Sequence, residues 1–230
     1  MWLAGFDPGG ESQFGWCVVE ASVERPLSLH RTGVASNATE AVNCVLKEVP
    51  SESTLIAAGI DSPLFWLPDG DRNADRVIRN EIKKLGASSP AGTVQHVNSL
   101  RGACLVQGVL AAMLLRTAIP SINITEAHPK ALLWLIGVAT ERQPVKSVTM
   151  RELSEFFSFR SGDLSEHERD AALAALGAWA MTIKASGWED LFALERQPFA
   201  PISPVAYWMP SMPPNPTVHR TLRDKAAQRR

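Results

Sequence analysis

The sequence has few of the cysteines that build disulfide frameworks or thiolate metal sites, and it lacks apolar runs long enough to span a membrane. Its 230 residues include only three cysteines, Cys17, Cys44 and Cys104, which are far apart and lack CxxC spacing. This odd, scattered set excludes a disulfide framework and favours a reducing compartment. The longest apolar runs, such as residues 132–138, are too short to cross a bilayer. Since no basic leader or cleavage site precedes the apolar residues 2–6, we expect a cytoplasmic protein without a membrane partner.

Neither sign of charge is in excess. The 23 lysines and arginines face 24 aspartates and glutamates, for a formal net charge of -1. This balance argues against a dedicated basic coat for nucleic acid, but it leaves room for a local basic patch. The length fits one domain with a tail, and we predict a domain over residues 1–190. Residues 191–230 are predicted as a tail that is first proline-rich and then basic. The sequence does not indicate an oligomeric state.

Hydrophobic periodicity and turn residues predict an α/β protein. Strands are predicted at residues 2–6, 14–19, 27–34, 54–60 and 122–127. Helices are predicted at residues 39–48, 73–85, 100–115, 130–136, 147–157 and 165–185. Residues 87–92 are predicted as a loop, and Asn37 and Ser99 as the caps of the first and third helices. This order fits a mixed five-stranded sheet whose first three strands are antiparallel, with helices on both faces.

Acidic residues recur where predicted strands end. Asp7, Asp61 and Glu126 each close a strand just before a chain-breaking residue, and Asp170 lies early in the last helix. Ligands of open α/β sheets bind at this edge. Facing carboxylates repel one another, and a divalent cation with hard oxygen ligands, Mg²⁺ or Mn²⁺, would remove the conflict. The four acids are therefore predicted as metal ligands and catalytic residues.

Each acid also has a structural explanation. Asp7 and Asp61 stand in turn sequences, where aspartate often serves only to start the turn. Glu126 could pair with a neighbouring lysine or arginine. Asp170 could be a first-turn acid that interacts favourably with the helix dipole. The coincidence of four acids at one edge favours the metal site.

Basic residues follow the fourth strand at helical spacing. Arg72, Arg76 and Arg79, together with Arg101 near the start of the next helix, are predicted to bind phosphate. The alternative is a solvated helix face. His128 and His167 are the histidines near the predicted site, and either could move a proton near neutral pH or simply lie at the surface.

Several short segments carry a family resemblance. They are Gly5–Gly10, Gly59–Leu64, Arg72–Arg76, Thr125–Pro129 and Arg169–Ala172, and they span about three quarters of the chain. In order and spacing they resemble the domain-of-unknown-function family 429, which is regarded as a group of predicted nucleases of ribonuclease H-like fold. This resemblance implies a ribonuclease H-like sheet and a role for Asp75.

The plan also resembles, more distantly, the bacterial Holliday-junction resolvases. That likeness implies that Asp7, Asp61 and Asp170 are ligands, with Glu126 a fourth ligand or an orienting group. The resolvases usually have glutamate at the position of Asp61. Their last helix often carries a second acid, a role that would fall here to Glu166 or Asp163.

These features predict a metal-dependent nuclease that hydrolyses phosphodiester bonds of DNA or RNA. Two ions about 3.5–4 Å apart would flank the phosphodiester. One alternative is a non-catalytic nucleic-acid-binding or regulatory protein of the same fold. Another is an actin-like protein that binds nucleotide or phosphate, whose phosphate loop also follows an aspartate with glycines. The second glycine-rich loop of that architecture is missing after Asp61.

Overall fold

One eight-stranded mixed sheet organises the computed structural model, which describes residues 1–10, 12–67, 71–96, 102–159 and 164–212. The strands are β1 Trp2–Asp7, β2 Phe14–Glu20, β3 Leu27–Ala35, β4 Leu55–Ile60, β5 Asn123–Glu126, β6 Phe157–Ser158, β7 Trp188–Asp190 and β8 Ala206–Pro210. The helices are α1 Ala38–Glu48, α2 Asn73–Lys84, α3 Pro90–Thr93, α4 Gly102–Ala118, α5 Pro129–Leu135 and α6 Glu166–Ile183. In space the strand order is β6-β3-β2-β1-β4-β5-β8-β7.

The predicted class and the pairing of the first strands are confirmed. β1 pairs antiparallel with β2, and β2 antiparallel with β3. β4 then joins the other side of β1 in parallel, and β5 joins β4 in parallel. The predicted number of strands is wrong, because β6, β7 and β8 extend the five-stranded core at both edges.

Two local predictions in the middle of the chain are also wrong. Residues 147–157 form no helix; a 3-10 turn at Val145–Ser147 is followed by further turns and by β6. The carbonyls of Val145 and Val148 accept hydrogen bonds from the Arg169 guanidinium (3.2 and 2.8 Å). In the predicted loop at residues 87–92, α3 begins at Pro90, a residue suited to the first turn of a helix.

The predicted tail contains a strand. β8 pairs in parallel with β5, and β7 pairs antiparallel with β8. Apolar β8 residues such as Met209 are buried, which explains why this proline-rich stretch packs onto the sheet. The domain boundary at residue 190 stays a prediction, and residues 213–230 lie outside the described ranges, as does the predicted cap Ser99.

Helix α6 packs directly on the central strands because glycines face it. A Cβ atom added at Gly5 would lie 1.8 Å from the carbonyl oxygen of Ala171, and one at Gly59 would lie 1.8 Å from that of Ala174. Any side chain at either position would therefore push the helix away. The alanine-rich sequence of α6 completes this close contact, and the helix carries Asp170 to the carboxyl edge of β1 and β4.

Side chains alternate between the two faces of the sheet, and the register shows which residues share a face. Gly5 is aligned with Gly59, and Gly59 with Thr125, so these residues face α6. Ile60 is aligned with Glu126, and Glu126 with Tyr207, so these residues point to the opposite face. On that opposite face α4 approaches the sheet edge, where a Cβ at Gly108 would lie 2.2 Å from Ser62. Helices therefore cover both faces, as predicted.

Candidate active site

Three of the four predicted acids lie together on the α6 face. Asp7 ends β1 and, by alternation from Gly5, faces the helix. Asp61 follows β4, where its backbone N–H donates to the carbonyl of Phe6 (2.9 Å). Burial, followed by the negative charges of Asp7, Asp170 and Glu126, raises the pKa of Asp61 well above its ordinary value, while Lys130 opposes this. We call Asp7, Asp61 and Asp170 the three-acid group.

Asp170 is 1% exposed and is held through one oxygen only. Its Oδ1 accepts both Nε and one terminal nitrogen of Arg169 (2.9 and 2.7 Å). Burial raises the pKa of Asp170 to about 6, with Asp7 adding to the effect and Arg169 opposing it. The arginine therefore orients the carboxylate, and the Lys130 ammonium lies 3.9 Å from Oδ2.

A histidine on α6 holds Asp7. His167 Nδ1 donates to Asp7 Oδ2 at 2.6 Å, and this hydrogen bond is the main cause of the raised pKa of His167. The backbone of His167 is fixed against β2, because a Cβ at Gly15 would lie 2.2 Å from its carbonyl oxygen. The imidazole is about one third exposed, so it can exchange protons with solvent.

Lys130, at the start of α5, places a positive charge beside the three-acid group. Its ammonium binds Glu166 Oε1 at 2.9 Å, and the side chain as a whole is 42% exposed. Burial lowers the pKa of Lys130, but the hydrogen bond to Glu166 and the charge of Asp170 outweigh it and leave the pKa raised. The same contact lowers the pKa of Glu166. Lys130 is thus charged beside the three-acid group without neutralising it fully.

Glu126, the fourth predicted ligand, lies on the other face and is fully occupied. Its Oε1 accepts from Arg72 (2.5 Å) and His128 Nε2 (3.0 Å), and its Oε2 accepts from Arg72 (2.8 Å) and the backbone N–H of Leu64 (2.9 Å). Burial alone would raise the pKa of Glu126, but Arg72 and His128 outweigh it and lower the pKa. Four hydrogen bonds use the acceptor sites of this carboxylate.

Arg72 is the centre of this second group and is completely buried. It binds Asp75 through Nε (2.8 Å) and a terminal nitrogen (2.7 Å), while the Tyr207 hydroxyl donates to Asp75 Oδ1 (3.2 Å). Burial would lower the pKa of Arg72, but Glu126 and Asp75 outweigh it and raise the pKa further. We call Arg72, Asp75, Glu126, His128 and Tyr207 the Arg72 cluster. The guanidinium of Arg72 is thus taken up by Asp75 and Glu126, and its predicted binding of phosphate stays a prediction.

Spacing alone would also allow a metal in the Arg72 cluster. Among the described residues, Asp75, Glu126 and His128 form one group whose ligand atoms all lie within 4.8 Å of one another. Both carboxylates, however, are already bound to a guanidinium that stays protonated in proteins. The three-acid group differs in both respects. Its carboxylate oxygens lie farther apart than the ligand atoms of Asp75, Glu126 and His128, but its acids repel one another. His128 lies between the two groups, with Nδ1 3.9 Å from Asp61 Oδ1.

The remaining predicted phosphate ligands are outside both groups. Arg76 and Arg79 each bind Asp71 (3.1 and 2.8 Å), and Arg76, half exposed, also contacts Asn73. Arg79 is 19% exposed and reaches the carbonyl of Val94. Their binding of phosphate stays a prediction.

Two further predictions fall on residues without a described position. Arg101 and Asp163 lie outside the described ranges.

Sequence reasoning missed Lys130 and Arg169 as members of the site. A signal was present for each: Lys130 follows the predicted strand-end acid by four residues, and Arg169 directly precedes Asp170. Neither position in the sequence predicts which acid the side chain contacts. Only the packing of α5 and α6 brings Lys130 next to Glu166 and Asp170.

Comparison with known proteins yields structural matches at low similarity. No family model and no curated protein sequence matches the chain, so the resemblance to family 429 stays a prediction. A Thermus thermophilus RuvC structure aligns at 17% identity and TM-score 0.43, covering 80% of this chain and 97% of that one. T. thermophilus RuvC in complex with Holliday junction substrate aligns at 14% identity and TM-score 0.42, with the same coverage. Matches this weak carry no inference about activity.

The described helices include none that is long and apolar enough to cross a membrane.

Proposed function

We propose that this chain is a metal-dependent nuclease that hydrolyses phosphodiester bonds of DNA or RNA at the three-acid group. One observation carries the proposal: Asp7, Asp61 and Asp170 lie together on one face of the sheet edge, where burial and mutual repulsion keep the pKa values of Asp61 and Asp170 raised despite the nearby Arg169 and Lys130. Keeping buried acids in mutual repulsion costs stability, which is expected where a cation is to be bound. The family resemblance points in the same direction.

The donor set suits Mg²⁺ or Mn²⁺. All three ligands are carboxylates, the hard oxygen donors that these ions prefer. Arg169 occupies one oxygen of Asp170 and His167 one oxygen of Asp7, so each keeps a second oxygen for a metal. When bound, the cation would supply Lewis-acid polarisation of the phosphodiester.

The surrounding side chains support this chemistry with charge and protons. Lys130 could contact a phosphate oxygen, because its side chain is partly exposed and its ammonium ends a flexible four-carbon stem. His167, with its raised pKa, holds a proton at Nδ1 against Asp7 and can exchange protons through its exposed edge. Arg169 holds the carboxylate of Asp170 in one orientation.

Purified full-length protein, incubated with Mg²⁺ or Mn²⁺ and with branched, single-stranded and RNA–DNA hybrid substrates, tests the proposal. We expect cleavage of at least one substrate that needs the metal and that falls by several orders of magnitude in Asp7→Asn. Glu52→Gln is the matched control, because Glu52 is an exposed acid in the turn before β4, at the opposite edge. Activity that persists undiminished in Asp7→Asn would refute the assignment. Metal binding without turnover on any nucleic acid would favour the non-catalytic alternative.

A further inference from the structure

The segment that carries Asp61 is anchored by the Arg72 cluster. Residues 61–66 run from the end of β4 across the sheet edge. Glu126 Oε2 accepts the N–H of Leu64 (2.9 Å), and Arg72 donates to the carbonyl of Phe65 (3.3 Å). Because Arg72 also binds Glu126, one buried ion pair holds two consecutive residues of this segment.

Both ends of the same segment are fixed by backbone hydrogen bonds. Asp61 N–H binds the Phe6 carbonyl (2.9 Å). Trp66 exchanges two hydrogen bonds with Phe199 (2.9 and 2.8 Å). Between these ends, the hydrogen bonds to other parts of the chain among the described residues are those of Leu64 and Phe65 and one from the Ser62 hydroxyl to the carbonyl of Cys104 (3.2 Å). Leu64 and Phe65 are also buried in the core, where the Phe65 ring packs edge-on against Phe192 (4.8 Å). The ion pair therefore supplies two of the polar anchors of the chain after Asp61, and apolar packing supplies the rest.

The shape of Arg72 matters as well as its charge. The guanidinium lies over the Phe65 ring, 4.4 Å from its centroid, and 5.6 Å from that of Tyr207. It forks to Glu126 on one side and to Asp75 on the other. A lysine would keep the charge but could make neither the forked contacts nor the stacking.

We infer that Arg72 and Glu126 are positioning residues, which set the Asp61 carboxylate in the three-acid group through Leu64 and Phe65. This inference rests on the proposed function, because it assigns a use to the position of Asp61. It replaces the predicted role of Glu126 as a ligand with an indirect role. Outer residues that orient metal ligands typically change affinity by about 10–100-fold when they are mutated.

If Glu126 is a metal ligand or, instead, a positioning residue, the change in melting temperature of the metal-free Glu126→Gln variant has the opposite sign. Removing the charge of a ligand relieves repulsion, so metal-free Asp61→Asn should melt at the same temperature as wild type or higher. Removing the charge of Glu126 strips Arg72 of a buried partner, so metal-free Glu126→Gln should melt at a lower temperature. If Glu126 were a ligand in mutual repulsion, both variants would shift in the same direction.

The experiment compares full-length wild type, Asp61→Asn, Glu126→Gln and Arg72→Lys, with Val45→Ala as a control that destabilises the core at α1. Melting is recorded in chelator, and Mn²⁺ affinity is measured by calorimetry well below the melting temperature. Asp61→Asn should lose Mn²⁺ binding. Glu126→Gln and Arg72→Lys should still bind Mn²⁺, but at least about tenfold more weakly than Val45→Ala. Hydrogen exchange at the Leu64 amide should accelerate in both.

Three results overturn the inference. Loss of Mn²⁺ binding with a raised melting temperature in Glu126→Gln would make Glu126 a ligand. Mn²⁺ affinity in Glu126→Gln and Arg72→Lys equal to that of Val45→Ala would make the ion pair merely structural, while Asp61→Asn would still support the metal site. Absence of Mn²⁺ binding in wild type would remove the proposed function and the inference together. Should Arg72→Lys fail to fold, Glu126→Gln, which keeps the side-chain shape, decides the question with the Leu64 exchange rate.

Discussion

Two groups of buried or partly buried acids lie at the same edge of the sheet, one on each face, and they differ in how their charge is compensated. In the Arg72 cluster, two carboxylates share a completely buried guanidinium, and the pKa of Glu126 is lowered. In the three-acid group, Arg169 binds one oxygen of Asp170, His167 binds one oxygen of Asp7, and Lys130 lies 3.9 Å from the other oxygen of Asp170. Burial and mutual repulsion nevertheless keep the pKa values of Asp61 and Asp170 raised. Burial of a carboxylate is therefore a poor indicator of function until its partners are known.

The strongest way to test this comparison is to remove one cation from each group. Arg72→Met leaves two buried carboxylates without their shared cation, and we expect a loss of about 3–5 kcal/mol in the free energy of unfolding. Lys130→Met should cost much less, because Lys130 is 42% exposed and lies 3.9 Å from Asp170. Urea unfolding of both variants in chelator measures the difference. Equal losses of unfolding free energy in the two variants would show that the two groups do not differ in how their negative charge is compensated.

The pH dependence of stability sharpens the comparison further. Asp170 has a pKa of about 6 in the folded protein against 3.8 ordinarily, so between these values the folded state binds more protons than the unfolded state. Stability from this group is therefore lost as the pH rises from about 4 to about 6, by about 3 kcal/mol. Asp170→Asn should remove that loss. Unfolding of both proteins in chelator across this range checks it, and parallel curves would contradict the raised pKa.

Metal should stabilise the three-acid group selectively. At a Mn²⁺ concentration about 100 times the dissociation constant, wild type should gain about 2.7 kcal/mol. Asp7→Asn should gain much less with metal and be unchanged or more stable without it, since repulsion is relieved. Thermal melting with and without Mn²⁺ measures both effects, with Glu52→Gln as the control. Equal metal-induced shifts in wild type and Asp7→Asn would place the metal elsewhere.

The smallest effect is expected at the exposed arginines of α2. Arg76→Ala breaks a half-exposed ion pair with Asp71 and should change stability by no more than about 1 kcal/mol. If this face binds phosphate, the same change should weaken nucleic-acid binding and reduce its salt dependence by about one ion. Binding titrations at several salt concentrations test this prediction. An unchanged salt dependence would leave Arg76 as a solvated surface residue.

Local patterns in the sequence determined much of this protein. Turn residues such as Pro8 and Pro63 end β1 and β4 where predicted, and the apolar runs predicted the first three strands and their antiparallel order. The coincidence of acids at one edge followed from the same signals. These features depend on backbone preferences and turn chemistry within a few residues, so a single sequence is enough to reveal them.

Only the tertiary structure decided which acids lie together. Glu126 is aligned with Ile60 and not with Gly59, so it points away from α6 to Arg72, whereas Asp7 and Asp61 point toward the helix. A shift of one residue in register would exchange these faces, and register is set by pairing between distant strands. The same distant packing, through Gly5 and Gly59, brings Asp170 to this edge. The strand ends were local properties, but the separation of four acids into three and one depended on contacts that no short stretch of sequence contains.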